Sequence, residues 1–128
     1  MNAQILGISV DSHFAHKVYL NTPRNEGGIQ GVSFPLMADM GGKVAREFGV
    51  LHDLGIALRA LFLIDPEGII QHATINNLPV GRNVEETIRV IEAFQFNKKN
   101  GEVCPANWTK GAKSMKPTAD GLKEYFRK

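Results

Sequence analysis

Apolar residues recur in two rhythms along this chain, and the rhythm changes several times. Gln4-Ile-Leu-Gly-Ile-Ser-Val10 is a short apolar run that reads as a buried strand. Asp11-Ser12 then offers an N-cap before Phe14, Val18 and Tyr19, which are spaced as one helical face. A loop follows from Asn21 to Gly31. Phe34-Pro-Leu-Met-Ala-Asp39 predicts a short extended piece, with Asp39 capping a helix through Val44 and Phe48 to Gly49. Ala57–Ile64 and Ile69–Ile75 flank the turn Asp65-Pro-Glu-Gly68 and predict an antiparallel hairpin. Asn83 starts the longest helix, with acidic residues in its first turn and Ile88, Ile91 and Phe94 turned inward. After Asn100-Gly101 the periodicity fails, leaving a loop-like tail with one short helix at Ala119–Phe126. Strand, helix, strand, helix, hairpin, helix predicts an α/β fold with a mixed sheet. A strand starting at Gln4 reads as sheet interior, so the domain is expected to begin in its middle.

Composition narrows the classes without choosing among them. The chain has 128 residues, enough for one domain burying roughly two-thirds of its unfolded surface. At 43% hydrophobic it is expected to be globular, and no apolar run approaches a membrane span. Net charge is only +2, with the basic excess gathered in the tail, so nucleic acid is not expected as a partner. Met1-Asn-Ala-Gln-Ile5 shows no signal-peptide pattern, and one cysteine argues against a disulfide-stapled secreted domain. The expected setting is cytoplasmic.

Few residues could carry chemistry. Cys104 is the single cysteine, so disulfide chemistry needs a second thiol from outside these 128 residues. Taken alone, a cysteine before proline is more often an inert thiol. Arg59 interrupts an apolar strand, on the face of Leu61 and Leu63. It either reaches solvent or a structural carboxylate, or stabilises a thiolate and donates to an incoming oxygen. His13 and His16 lie three apart on a helix, but no further donor completes a metal set, and no metal or cofactor is expected. Gly27-Gly28 and Gly41-Gly42 lack the Lys-Ser/Thr of a phosphate loop. His52 and His72 are isolated and receive no role. Trp108 and Tyr125-Phe126 imply that the tail packs on something.

Several strings together resemble a typical two-cysteine peroxiredoxin of the alkyl hydroperoxide reductase C and thioredoxin peroxidase family. They are Ile5-Leu-Gly-Ile-Ser-Val-Asp-Ser12, Phe34-Pro-Leu-Met-Ala-Asp39, Arg59-Ala-Leu-Phe-Leu-Ile-Asp65, Asn77-Leu-Pro-Val-Gly-Arg82 and Gly101-Glu-Val-Cys-Pro-Ala-Asn-Trp108. The match runs from about Gln4 to Phe126. It implies a thioredoxin-like α/β fold that reduces hydrogen peroxide and alkyl hydroperoxides. It also implies that Cys104 is the resolving cysteine, which condenses with the sulfenic acid of a peroxidatic cysteine on a partner subunit. Arg59 would polarise the peroxide and stabilise the thiolate, with Arg82 in the supporting network. Thioredoxin or a dedicated disulfide reductase would open the disulfide, and the assembly would be a homodimer or a decamer of such dimers. Gly27-Gly28-Ile29-Gln30 and Tyr125-Phe126 resemble paired motifs linked to overoxidation, with Ile29-Gln30 where Leu-Gly is usual. Leu58 and Ala60 replace the commoner Tyr and Gly beside Arg59.

The family's Phe-x-Cys-Pro segment, first strands and first long helix have no counterpart here. The expectation is therefore a partial thioredoxin-like domain at 1–96 and a resolving-cysteine tail at 97–128, inactive alone. The competing expectation is non-enzymatic: a subunit that binds intact subunits or offers a chaperone-like surface. A thioredoxin-fold binding domain with no redox task ranks below both.

Overall fold

The computed structural model describes residues 1–127. Its elements follow the order β1 (Gly7–Ser9), α1 (His13–Asn21), β2 (Leu36–Ala38), α2 (Lys43–Glu47), β3 (Arg59–Ile64), β4 (Ile70–Asn76), α3 (Val84–Asn100) and α4 (Ala119–Phe126), with a 3-10 turn at Arg24–Glu26. The chain divides into two compact units, one of Asn2–Phe62 and Ala73–Arg82, the other of Leu63–His72 and Asn83–Lys128 with Met1. The β3–β4 hairpin contributes its open end to the first and its turn to the second.

In the first unit β1 pairs with β2 in parallel, Gly7 opposite Leu36 and Ser9 opposite Ala38. Ser12 caps α1, its Oγ accepting from Ala15 N at 3.2 Å. The expected inner face of α1 is not inner: Phe14 is 71% and Val18 68% exposed, and His16 is the buried residue. His16 Nε2 lies 2.6 Å from Ser9 Oγ. That bond ties helix to strand, and it draws in the side of α1 that carries His16 while Phe14 and Val18 stay outside. Gly28 packs against the Thr22 carbonyl so closely that a Cβ there would meet Thr22 O at 2.1 Å. Only glycine fits that loop.

Asp39 caps α2 from three residues upstream of the N-cap Gly42. Its two oxygens accept from Val44 N at 2.9 Å and Ala45 N at 2.8 Å. Those backbone donors hold its carboxyl below the ordinary 3.8 against the opposing effect of burial. A carboxyl depressed in the folded state stabilises above its unfolded value and loses that stabilisation as pH falls through its folded value. Asp39→Asn should therefore melt earlier than the parent at pH 7. The gap should close as pH drops below 3.8, which paired thermal melts would read.

The five-residue link between Ile64 and Ile70 makes the β3–β4 pair antiparallel. Asp65 Oδ1 fixes the turn by accepting from Glu67 N and Ile69 N. Strand directions are thus mixed, as expected, but among the described residues they form two separate two-stranded ribbons.

In the second unit Asn83 caps α3, its side chain accepting from Glu86 N at 3.0 Å. The buried α3 residue is Val90, not the expected trio, since Ile88 is 42% and Phe94 37% exposed. Trp108, 2% exposed, is the other buried apolar residue of this unit. Thr118 caps α4 at the bounds read from sequence.

Candidate functional site

Helix α3 presents Arg89, Ala93 and Asn97 at a spacing of four, which places them on one stripe of its surface. The tail runs along that stripe in the opposite direction. Asn97 Nδ2 donates to Glu102 O at 2.8 Å, and Cys104 Sγ to Ala93 O at 3.6 Å. Arg89 Nη1 donates to Trp108 O at 2.9 Å. Trp108 itself packs against Phe96 at a tilt of 43° with ring centroids 5.0 Å apart, and its indole Nε1 donates to Ala112 O at 3.1 Å. Lys110 pairs with Glu92 at 3.3 Å. Val103 and Met115 close the tail with two backbone bonds of 2.7 and 3.0 Å. Cys104 is therefore the first residue inside a clasped loop. Its position is fixed from both sides.

The thiol is half-buried and unbonded to sulfur. It lines an open cavity of about 520 Å³ with Val90, Phe94, Pro105, His72 and Arg89. Burial pushes the thiol up, while the positive charge of Arg89 pulls it part of the way back. Arg89 is oriented by a forked pair with Glu86, Nε to Oε2 at 2.6 Å and Nη2 to Oε1 at 2.7 Å. The hydrogen bond from Arg89 holds Glu86 below the usual carboxylate range, and the same bond raises the guanidinium. On balance the thiol stays above its ordinary value, so only a small fraction is thiolate at neutral pH.

The two expected arginines lie together in the other unit. Arg59 is exposed at the start of β3 and donates Nε to Leu78 O at 3.2 Å. Arg82 donates Nη1 to Ala60 O at 3.0 Å, so the Leu78–Arg82 loop is knitted to the first turn of the strand from both ends. Asn76 adds a third tie through Nδ2 to Gly81 O at 2.8 Å. Both guanidinium groups bond backbone carbonyls, which orients them without spending their charge on a carboxylate. Of the paired motifs, Tyr125 lies under Lys113, whose Nζ is 5.1 Å from the ring centroid. Lys113 also donates to Glu124 O at 3.2 Å and Tyr125 O at 3.0 Å, closing the last turn of α4. Arg89 and Asn97 escaped the sequence reading; the signal available for them was polar side chains at i and i+8 flanking the small Ala93.

Residues 1–73 match a sequence model described as the AhpC/TSA family, and 93–128 one described as the C-terminal domain of 1-Cys peroxiredoxin. Peroxiredoxin-2 of Bos taurus is 50% identical over the whole chain and 65% of its own length. The mitochondrial thioredoxin-dependent peroxide reductase of Mus musculus is 49% identical over the whole chain and 50% of its own length. The reduced 2-Cys peroxiredoxin of Plasmodium vivax superposes with a TM-score of 0.92 at 44% identity, over 97% of this chain and 64% of that one. That overlap places the fold in the thioredoxin-like α/β class. The chain thus spans half to two-thirds the length of these relatives. The expectation of a cytoplasmic setting is overturned, because relatives this similar are named mitochondrial, and one from Hordeum vulgare chloroplastic. Addresses are read from segments outside the folded domain, so its composition could not report the compartment.

Proposed function

The chain belongs to the AhpC/TSA family, and from that membership we propose that it carries the resolving half of a thiol peroxidase acting on hydrogen peroxide and alkyl hydroperoxides. Cys104, in the tail 97–128, is the resolving cysteine. Its thiolate attacks the sulfur of a sulfenic acid on a second thiol supplied from outside these 128 residues. The S–S bond forms, the S–O bond breaks, and hydroxide leaves to take up a proton as water. Thioredoxin or a dedicated reductase then opens the disulfide by exchange, and the working assembly is a homodimer or a ring of dimers. Arg59, steadied by Leu78 O, stabilises the attacking thiolate and the peroxide oxygen, with Arg82 holding the same strand through Ala60 O.

The observation that carries this reading is the placement of Cys104 in a clasped loop, its thiol in the wall of an open cavity beside a cation. A test pairs the chain with bovine Peroxiredoxin-2 that retains one attacking cysteine, oxidised by one equivalent of peroxide. A one-to-one disulfide adduct is expected on a non-reducing gel, absent with Cys104→Ser and released by reduced thioredoxin. The chain alone should consume peroxide no faster than a free thiol. An adduct that survives Cys104→Ser, or none at all, would overturn the assignment.

The exposed apolar side chains on and before β1 favour a second reading. Ile5 is 59%, Leu6 51% and Ile8 41% exposed. On that reading the chain is a binding subunit that docks on intact subunits without chemistry, and Cys104→Ser leaves its association unchanged.

A further inference from the structure

Arg89 makes two commitments at once: its Nε and Nη2 grip Glu86, and its Nη1 grips Trp108 O. Glu86 lies one turn away on the same helix and turns the guanidinium toward the tail. Trp108 ends the Cys104–Trp108 loop, and a turn from Trp108 N to Pro105 O at 3.0 Å makes that loop stiff. One turn further along α3, Ala93 O receives the thiol itself. The same cavity is lined by Arg89 and Cys104, so the cation faces the space from which an electrophile would approach. The groups facing that space are Glu86 and Arg89 from α3 and His72 from β4; Lys110 of the tail is turned to Glu92.

We propose that Arg89 is a positioning residue for Cys104, tying its loop to α3 and lending the cavity the positive charge that favours the attacking thiolate. The inference rests on the resolving role given to Cys104 above. Two effects should follow and they are separable. The charge acts on the fraction of thiolate at a given pH, whereas the tether acts on access to the sulfur.

The test is alkylation of the single cysteine by iodoacetamide, followed from pH 7 to 10.5 in the full chain. In Arg89→Met the midpoint should move up, slowing alkylation at pH 7.5 about three- to tenfold, as expected for losing one nearby charge. The high-pH plateau should rise as the loop loosens. Arg89→Lys should restore the midpoint but not the plateau, because an ammonium keeps the charge without the fork. Glu86→Gln, which removes the opposing charge, should move the midpoint down. The shift should persist in a His72→Asn background. A folded Arg89→Met with an unmoved midpoint overturns the proposal. Should that variant fail to fold, an unmoved midpoint in Arg89→Gln, which also removes the charge, overturns it equally. The probe needs neither peroxide nor partner, so Arg89 can fail here while Cys104 still forms the adduct described above, and the reverse.

Discussion

Trp108→Ala is expected to cost about 3–5 kcal/mol and to release the tail from α3. Among the described residues of the unit that holds Cys104, Val90 and Trp108 are the two buried hydrophobic side chains. Removing the indole takes away the Phe96 contact, leaves Ala112 O without its donor and opens a cavity next to the helix. A small domain has roughly 5–15 kcal/mol of net stability to lose, so this one change consumes a large share. The effect reaches the chemistry because Trp108 O is also the anchor for Arg89. In the variant, near-ultraviolet circular dichroism should fall, and tail amides should exchange faster than those of β1 and β2. The Cys104 plateau rate with iodoacetamide should approach that of a free thiol. A variant that melts with the parent and protects Cys104 equally would show that the Asn97 and Val103–Met115 ties hold the tail without the indole.

What was legible in the sequence is local, and what was not is the choice of partner. Ser12, Asn83 and Asp65 announced their caps and turn because each side-chain oxygen bonds backbone two or three residues away. Nothing distant is needed to read such bonds. Helix α4 has the bounds expected of it, and Thr118, which the sequence reading did not single out, caps it by accepting from Gly121 N. Faces were another matter. Helix α3 carries Val84, Ile88, Val90, Ile91, Phe94 and Phe96, so apolar residues point in several directions. Periodicity then identifies a helix without saying which stripe meets the tail. The stripe that does so is Arg89, Ala93 and Asn97, two polar residues and the smallest apolar one. On α1 the pairs Phe14/Val18 and Ser12/His16 have the same spacing, and it is His16 of the polar pair that meets the strand, its Nε2 hydrogen-bonded to Ser9 Oγ. Hydropathy ranks those pairs the wrong way round. Cys104 was legible through its flanking string, but its orienting arginine lies fifteen residues upstream on another element.

Arg59→Ala is expected to slow peroxide turnover roughly thirty- to a thousandfold, the 2–4 kcal/mol of barrier typical of one lost preorganised donor. The measurement uses a chimera of this chain with the N-terminal portion of bovine Peroxiredoxin-2, which would supply the attacking thiol. Arg59 is exposed and donates to a carbonyl rather than to a carboxylate. Its removal therefore strands no buried charge, and the stability cost should stay small. A residue of this kind separates structure from chemistry cleanly. If the guanidinium serves the reaction, the rate per folded molecule collapses while the melting temperature barely moves. Arg59→Lys should recover only part of the rate, because a point charge stabilises the thiolate but lacks the planar fork for two oxygens. Arg82→Ala is the contrasting case. Its bond to Ala60 O steadies the strand that carries Arg59, so its loss should lower both the melting temperature and the rate. Normal turnover per folded molecule in Arg59→Ala would reduce Arg59 to a strand-end arginine bridging to Leu78, and the peroxide-binding role would have to pass to another group.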